Sequence, residues 1–113
     1  MKHFPDFIRN EKNRIPETPS EGMEGFIFEG ADGSQVVFWE SISGSSVPLH
    51  KHDFYEYCLV VEGCYEGIVD GKPITLKPGD EFVISPGLLH EGKHSANYRA
   101  IDIFGGQRFK RNS

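Results

Sequence analysis

The sequence predicts an all-β domain. Thirteen glycines and seven prolines interrupt the 113-residue chain, which disfavours long helices. Between these breaks, aromatic and β-branched residues recur in short runs bounded by turn residues, a pattern typical of strands. A chain of this length can bury one hydrophobic core but not two. Closely spaced short strands in one domain indicate a sandwich or barrel rather than β-α-β units.

The first two strands are predicted to form a hairpin. The runs GFIFEG and SQVVFWESI are separated by Ala31-Asp32-Gly33-Ser34, which is a strong turn signal. Phe38 and Trp39 are expected in the core or in an interface, because side chains of this size are normally buried. Residues 1–24 contain three prolines and many charges, so we predict an extended arm that wraps the domain or a partner.

The second half of the chain contains the remaining predicted strands. SGSSVP is predicted to be a loop, and EYCLVV a strand that is buried on both faces. Residues 65–69 and 72–76 are predicted to pair around Asp70-Gly71, because this dipeptide favours a two-residue primed turn. Lys77-Pro78-Gly79-Asp80 indicates another tight turn, and the runs EFVIS and NYRAIDIF are predicted to be the last strands.

Charge and hydropathy argue against two classes of partner. Seventeen acidic residues oppose twelve basic ones, and the small basic cluster of Arg108, Lys110 and Arg111 is not interleaved with a series of stacking aromatics. Nucleic-acid binding is therefore disfavoured. No apolar stretch approaches the ~18 residues of a membrane-spanning helix, and the polar N-terminus does not resemble a signal segment. We expect a soluble, cytoplasmic protein in which Cys58 and Cys64 are free thiols.

Two histidines and a glutamate lie within seven residues of one another. His50 and His52 are two residues apart, so on an extended strand both side chains project from the same face. Asp53 is turn-prone, so the chain can reverse and return the Glu56 carboxylate to the imidazoles from the neighbouring strand. Imidazole and carboxylate ligands suit iron(II), manganese, nickel, cobalt or zinc. This stretch therefore predicts most of a divalent transition-metal site.

His90 is the candidate for the fourth ligand. It follows the Pro86-Gly87 pair, which fixes a turn and lets the backbone pass closely. Its position is at the start of a predicted strand or just before it. We predict that His90 is directed into the mouth of a barrel from the wall opposite His50 and His52.

Residues 44–94 resemble the two motifs of the cupin family. The motifs are Gly44-x5-His50-x-His52-x3-Glu56-x6-Gly63 and Gly79-x5-Ser85-x-Gly87-x2-His90. The resemblance implies a single small barrel of the jelly-roll type, the cupin double-stranded β-helix, with an extended N-terminal arm. It also implies that a divalent metal is bound inside the barrel by His50, His52, Glu56 and His90.

The resemblance divides the chain into an arm at residues 1–24, a barrel at residues 25–107 and a basic tail at residues 108–113. Ser85 stands where a proline is usual in the second motif, and His94 replaces a usual asparagine. Neither departure removes a ligand. His94 is expected to support the site, to hydrogen-bond a substrate or to face solvent.

Strand parity and position predict the lining of the pocket. Cys58 and Val60 lie on the same face of their strand as Glu56, so Cys58 is expected beside the metal, unless it is only a small buried hydrophobe. Arg99 and Asp102 are interpreted as an exposed charged face rather than as substrate ligands. The other pocket candidates are Phe54, Tyr55, Tyr65, Phe82, Ile84, Leu88 and His94.

The expected function follows from the metal site by analogy. Four ligands leave two positions open around an octahedral metal, where a small polar substrate, water or dioxygen can bind. The resemblance implies an enzyme of the dioxygenase, lyase or isomerase type. The alternative is a non-catalytic module for a sugar-like small molecule, because residues 50–92 also resemble the effector domains of arabinose-type regulators.

A homodimer is also predicted. The aromatic strands between Phe26 and Trp39 offer an apolar surface that a monomer of this size would struggle to cover. The resemblance supports this expectation, because small barrels of the cupin family commonly pair through their sheets.

Overall fold

The computed structural model describes residues 2–110 and confirms the all-β fold. Within this range a short 3₁₀ turn at Glu11–Asn13 precedes nine strands, and no helix is long and apolar enough to cross a membrane. The strands are β1 (Met23–Glu29), β2 (Gln35–Ser41), β3 (Ser45–His50), β4 (Glu56–Glu62), β5 (Tyr65–Val69), β6 (Lys72–Leu76), β7 (Glu81–Ile84), β8 (His90–His94) and β9 (Tyr98–Phe104).

The strands form two antiparallel sheets. One has five strands in the order β1-β2-β9-β4-β7, and the other has four in the order β3-β8-β5-β6. From β3 onward the chain passes repeatedly from one sheet to the other, as in a double-sheet jelly roll. Side chains from the inner faces of both sheets enclose a cavity.

The predicted first hairpin is present as β1 and β2. Met23 pairs with Ser41 at one end and Glu29 with Gln35 at the other, so the turn lies where the sequence predicts it. Trp39 is 3% exposed, which confirms its expected place in the core. The core cluster that contains it consists of Ile15, Ile27, Val37, Trp39 and Phe104.

The predicted second hairpin is present as β5 and β6. Asp70 and Gly71 have φ of 50° and 76°, and two successive positive values are what a primed turn of type I′ requires. The tight turn before β7 is also present, because the Asp80 N–H donates to the Lys77 carbonyl at 2.8 Å. Local turn chemistry therefore determines both of these reversals.

Two predictions about individual strands are wrong. Tyr57 on β4 is 45% exposed, because the second sheet covers only the inner face of this strand. The segment predicted as a loop at SGSSVP instead contributes Ser45–Pro48 to β3. β3 lies at the edge of its sheet, where Pro48 is tolerated because one side of the strand has no neighbour to bond.

The N-terminal arm packs across the outer face of β1 and β2. Glu40 on that face is 1% exposed and accepts hydrogen bonds from the Phe4 N–H at 2.7 Å and from Arg9 Nε at 3.2 Å. The Phe4 ring meets Phe38 edge to face at 5.2 Å, and the Arg9 guanidinium lies over Phe26. A buried carboxylate and two aromatic contacts therefore anchor the arm to the barrel.

The position of the arm overturns the expected apolar dimer surface. Phe26 is 1% exposed and Trp39 3%, so the strands between them do not leave an apolar face for a partner. The sequence reasoning failed here because the arm has no periodicity that shows where it packs.

Residues 105–110, which we call the tail segment, pack against the start of β2 and the end of β9. Gln35 is 1% exposed, and its Oε1 accepts the N–H groups of Arg108 and Phe109 at 2.8 and 3.1 Å. Its Nε2 donates to the Phe109 carbonyl at 2.8 Å. Arg111 of the predicted basic tail lies outside the described residues.

Candidate metal centre

The four side chains predicted as metal ligands meet at one place between the two sheets. One donor atom from each of His50, His52, Glu56 and His90 lies within 4.8 Å of the others. Nε2 of His52 and Nε2 of His90 lie 3.3 and 3.4 Å from Oε1 of Glu56. Ligand atoms about 2.1 Å from one ion are about 3–4 Å apart, so this group, which we call the His/Glu cluster, has the dimensions of a coordination shell.

The strands that carry the cluster differ from the prediction. His50 ends β3 and His90 begins β8, and the two residues are paired in the same sheet. The expectation that His90 comes from the opposite wall is therefore wrong, and Glu56, at the start of β4 in the other sheet, faces the imidazoles from that wall instead. His52 lies beyond the end of β3, so it does not share a strand with His50.

Two of the rings are held by the same kind of hydrogen bond. Nδ1 of His50 donates to the Pro48 carbonyl at 2.8 Å, and Nδ1 of His90 donates to the Leu88 carbonyl at 2.9 Å. A carbonyl oxygen can only accept, so each Nδ1 carries a proton. In the neutral ring, Nε2 then has a free lone pair for a cation, which is the arrangement usual for metal-binding histidines.

Three buried atoms of the cluster have no hydrogen-bond partner among the described residues. They are Nε2 of His52, Oε1 of Glu56 and Nε2 of His90. Leaving one such atom unsatisfied costs about 1–3 kcal/mol. A cation among the three satisfies all of them at once, so the residues present fit a divalent metal.

The charges of the cluster also suit a cation. Burial alone would raise the pKa of Glu56, but the imidazoles of His52 and His90 and the charge of Arg108 outweigh burial and lower that pKa below its usual range. Burial lowers the pKa of His50 to about 4. Near neutral pH, Glu56 is therefore an anion and His50 is neutral, the forms in which these residues bind metals.

A cavity of about 50 Å³ extends from the cluster between the sheets. A cavity needs about 10–15 Å³ of such volume for each water molecule, so this one accommodates a few waters or a small polar molecule. Beyond the cluster, its polar lining includes Cys58, Tyr65, His94, Tyr98, Asp102 and Arg108.

Four of the predicted pocket residues line this cavity, namely Cys58, Tyr65, Ile84 and His94. The Tyr65 ring lies against the backbone of β8, because a Cβ on Gly92 would overlap the Tyr65 hydroxyl oxygen. The fifth candidate, Phe82, packs instead against the core cluster of Val60, Leu76, Tyr98 and Ala100.

Two other candidates lie beside the cluster rather than in the cavity. Phe54 stacks on the His52 ring, with ring centroids 5.2 Å apart, and Leu88 contributes its carbonyl to His90. Tyr55 is 48% exposed and stacks on Tyr57, so it belongs to the outer surface.

His94 is buried at the side of the cavity away from bulk water. It is 5% exposed, its ring stacks on Tyr98 with centroids 4.7 Å apart, and its Nε2 has no hydrogen-bond partner among the described residues. The expectation of a solvent-facing His94 is therefore excluded, and support of the site or contact with a substrate remains.

Asp102 was interpreted as exposed, which is wrong. Its Oδ2 accepts a hydrogen bond from Trp39 Nε1 at 3.0 Å, and its side chain lines the cavity. One donor atom each of Glu56, Cys58 and Asp102 lies within 4.8 Å of the others. Burial and the Glu56 charge raise the pKa of Asp102 to about 8.

Strand parity could have located Asp102. It pairs directly with Cys58 across β4 and β9, and residues directly opposite each other in a sheet share a face. Because Cys58 was already assigned to the inner face, the same assignment applies to Asp102. Arg99 has the opposite parity and forms an ion pair with Glu62 at 2.8 Å.

Arg108 is the second cavity residue that the sequence reasoning missed. It lies in the tail segment, and its guanidinium group reaches into the cavity, where one Nη donates to His50 Nε2 at 3.2 Å. Residues after the last strand follow no period that indicates the direction of a side chain, so the sequence contains no signal for this contact.

A comparison with family models assigns this fold and site. Residues 37–104 match the model described as a cupin domain. The chain belongs to the cupin family. The matched range includes every residue of the His/Glu cluster, whereas most of the N-terminal arm and the tail segment lie outside it. No curated protein matches this cupin in sequence.

Solved structures similar to this cupin share its fold at low sequence identity. KdgF from Halomonas sp. has a TM-score of 0.72 and 23% identity, over 81% of this chain and 86% of that one. An RmlC-like cupin from Shewanella frigidimarina has a TM-score of 0.74 and 22% identity, over 87% and 86%. Salicylate 1,2-dioxygenase from Pseudaminobacter salicylatoxidans has a TM-score of 0.69 and 14% identity, over 79% of this chain but 28% of that one.

Proposed function

We propose that this cupin is a metal-dependent enzyme of the lyase or isomerase type that acts on a small polar molecule. His50, His52, Glu56 and His90 hold one divalent transition metal, which is iron, manganese, nickel, cobalt or zinc. The observation that carries the proposal is the convergence of three buried and otherwise unpaired donor atoms in the His/Glu cluster. Such atoms are costly without a cation.

When bound, a divalent metal supplies Lewis-acid polarisation of a carbonyl or enolate oxygen. The residues of the chain then provide for proton transfer beside it. Trp39 Nε1 fixes one carboxyl oxygen of Asp102, which leaves the other oxygen to exchange a proton with a molecule in the cavity. The hydroxyl of Tyr65 and the thiol of Cys58 line the same space. Burial raises the pKa values of Tyr65 and Cys58, so both act as uncharged hydrogen-bond donors.

The cavity limits the substrate to a small molecule. Its volume of about 50 Å³ and its six polar lining side chains suit a compact molecule with several oxygen atoms. Enclosure between the sheets also excludes bulk water, which strengthens the electrostatic interactions within the site.

The ligand set favours a second candidate function, a dioxygenase with iron(II). Three imidazoles and one carboxylate suit this ion and leave two adjacent positions for a substrate and dioxygen. Similarity to salicylate 1,2-dioxygenase at 14% identity supports the fold of this candidate but not its substrate. A non-catalytic binding module uses the same cavity without turnover.

Metal content tests the proposal directly. We expect about one equivalent of metal per chain, measured by elemental analysis, in the wild-type protein and in the control His3→Ala, which removes a histidine from the outer surface. His52→Ala and Glu56→Ala each leave two or more of the unpaired atoms without a complete shell, so their metal content falls at least about tenfold. Unchanged metal content in both variants contradicts the proposal.

Activity assays separate the three functions. Metal-loaded protein is incubated with small diketones, hydroxy ketones and enediols, and oxygen uptake, product formation and thermal shift are recorded. Oxygen uptake that is lost in Glu56→Ala supports a dioxygenase, and turnover without oxygen uptake supports a lyase or isomerase. A thermal shift without turnover supports a binding module.

We also propose that the protein is a homodimer, through a different surface from the one predicted. Ile103, Tyr57 and Val83 pair side by side on β9, β4 and β7, and they are 42%, 45% and 50% exposed. An apolar row across three strands is a candidate contact for a second copy. Light scattering of the wild type and of Tyr57→Glu tests this, because a monomeric wild type rejects the dimer.

The free state of Cys58 and Cys64 supports a cytoplasmic location, because thiols persist in reducing compartments. Cell fractionation checks this part of the proposal.

A further inference from the structure

Arg108 is held in a fixed position by the fold. Its backbone N–H and that of Phe109 both donate to the buried Oε1 of Gln35. Its guanidinium carbon lies 5.1 Å from the ring centroid of Phe104 and 4.6 Å from that of Phe109. A planar guanidinium between two rings has few orientations open to it, so the side chain is preorganised toward the cavity.

The guanidinium group has more donors than the protein satisfies. Among residues 2–110 Arg108 forms no ion pair with a carboxylate, and its side chain makes a single hydrogen bond, to His50 Nε2. An arginine side chain carries five N–H donors. A cation placed in an enclosed cavity without an anion is costly, unless an anion enters the cavity.

Metal binding frees one more donor. His50 Nε2 has a single lone pair, so it cannot bind a metal and accept the Arg108 hydrogen bond at the same time. In the metal-loaded protein, the Nη group that contacts His50 therefore turns to another acceptor. The available space for that acceptor is the cavity beside the cluster.

We infer that Arg108 binds a carboxylate group of the substrate, which makes the substrate a small acid with a second oxygen-bearing group that reaches the metal. This inference rests on the metal-dependent function proposed above. The fork of a guanidinium matches the two oxygens of a carboxylate, and such paired bonds are short and strong. Arg108 is thus a residue that determines specificity for acids over neutral sugars or alcohols.

The inferred pose orients the substrate. Arg108 holds the carboxylate on the tail-segment side of the cavity, the metal holds the second oxygen at the cluster, and Asp102 lines the wall of the same space. A molecule fixed at two points presents the carbon between them to Asp102. The small volume favours acids of two to four carbons.

Binding of malonate and its monoamide, malonamate, tests the inference by calorimetry on zinc-loaded and metal-free protein. The two molecules have almost the same shape, but malonamate lacks the second carboxylate. We expect wild-type protein to bind malonate at least about tenfold more tightly than malonamate. In Arg108→Gln this preference disappears, whereas in the matched control Lys110→Gln, which removes an exposed charge from the same tail segment, it persists.

The outcomes distinguish the inference from the proposed function. Full metal content in Arg108→Gln together with an unchanged preference for malonate overturns the inference and leaves the metal site intact. If the wild type takes up no metal, the proposed function fails, and the metal-free measurements decide the role of Arg108 in the same way. Failure of the wild type to bind malonate, oxalate or succinate in either form also overturns the inference, as does tighter binding of inorganic phosphate than of any of them.

Discussion

His50 and His90 occupy opposite positions on β3 and β8, and each ring donates from Nδ1 to the carbonyl two residues before it. The two ring centroids are 4.0 Å apart. The register shift between Val47 and His50 brings the end of β3 back into line with the start of β8. A sheet irregularity therefore sets the spacing of two candidate ligands.

This arrangement predicts the tautomers of both histidines. In metal-free protein near pH 8, we expect the neutral rings of His50 and His90 to carry their proton on Nδ1, because each Nδ1 faces a carbonyl. Long-range ¹H–¹⁵N NMR spectra report this directly. Zinc addition should shift the Nε2 resonances and leave both Nδ1–H groups in place. A proton on Nε2 of either ring in the metal-free protein contradicts the prediction.

The sequence predicts the composition of the His/Glu cluster better than its construction. The spacing of His50, His52 and Glu56 and the turn before His90 are local features, and they were enough to bring the right residues to one place. Sheet membership is not local. Neither parity nor turn chemistry shows that His90 pairs beside His50 while Glu56 faces them from the other sheet.

The same distinction explains which cavity residues were found. Cys58 follows from parity on β4, and Asp102 could have followed from its pairing with Cys58. Arg108 and Gln35 are 73 residues apart in the chain and hydrogen-bonded in the fold. Contacts of this kind depend on how an irregular segment packs, which a single sequence does not encode in any period.

Gln35→Leu is predicted to release the tail segment. Leucine has a similar volume but makes none of the three hydrogen bonds that Gln35 forms with Arg108 and Phe109. We expect the free energy of unfolding in urea to fall by about 1–3 kcal/mol. Phe109 should also leave the ring of Trp39, which it contacts at 5.4 Å, and the emission of this single tryptophan should shift to longer wavelength.

The control for this variant is Gln107→Leu, which changes an exposed glutamine in the same segment. Its stability is expected to lie within about 0.5 kcal/mol of the wild type. If Gln35→Leu behaves like this control in both stability and emission, the tail segment does not depend on Gln35.

Glu40→Gln is predicted to loosen the N-terminal arm. The carboxylate is 1% exposed and accepts charge-assisted hydrogen bonds from His3, Phe4 and Arg9. An amide keeps the shape but loses the charge and one acceptor, so we expect a loss of about 1–3 kcal/mol in the free energy of unfolding. Hydrogen exchange of the Phe4 amide should accelerate in parallel.

Glu66→Gln is the matched control for Glu40→Gln. Glu66 is half-exposed and lies 3.9 Å from Lys93, and surface pairs of this kind contribute about 0–1 kcal/mol. Equal losses in the two variants would mean that burial of Glu40 by the arm has no energetic consequence.

The burial of His94 predicts a loss of stability in acid. Burial lowers the pKa of His94 from its usual value of 6.5, so the unfolded chain gains a proton near pH 6.5 that the folded protein does not. The free energy of unfolding contributed by this group is therefore constant above pH 6.5, falls as the pH drops below it, and stops falling below the folded pKa. His50 contributes in the same direction, since its pKa is also lowered by burial.

Urea unfolding of metal-free protein at about pH 7.5, 6.5 and 5.5 separates the part that belongs to His94. One proton taken up on unfolding gives a slope of at most about 1.4 kcal/mol per pH unit, and His94→Gln removes that contribution because glutamine does not titrate. The variant should therefore lose less stability than the wild type between pH 6.5 and 5.5, with equal slopes above pH 6.5. His3→Gln, which removes a histidine for which burial is only partial, should retain the full wild-type slope. Parallel curves for the wild type and His94→Gln would show that the folded protein protonates His94 as readily as the unfolded chain does.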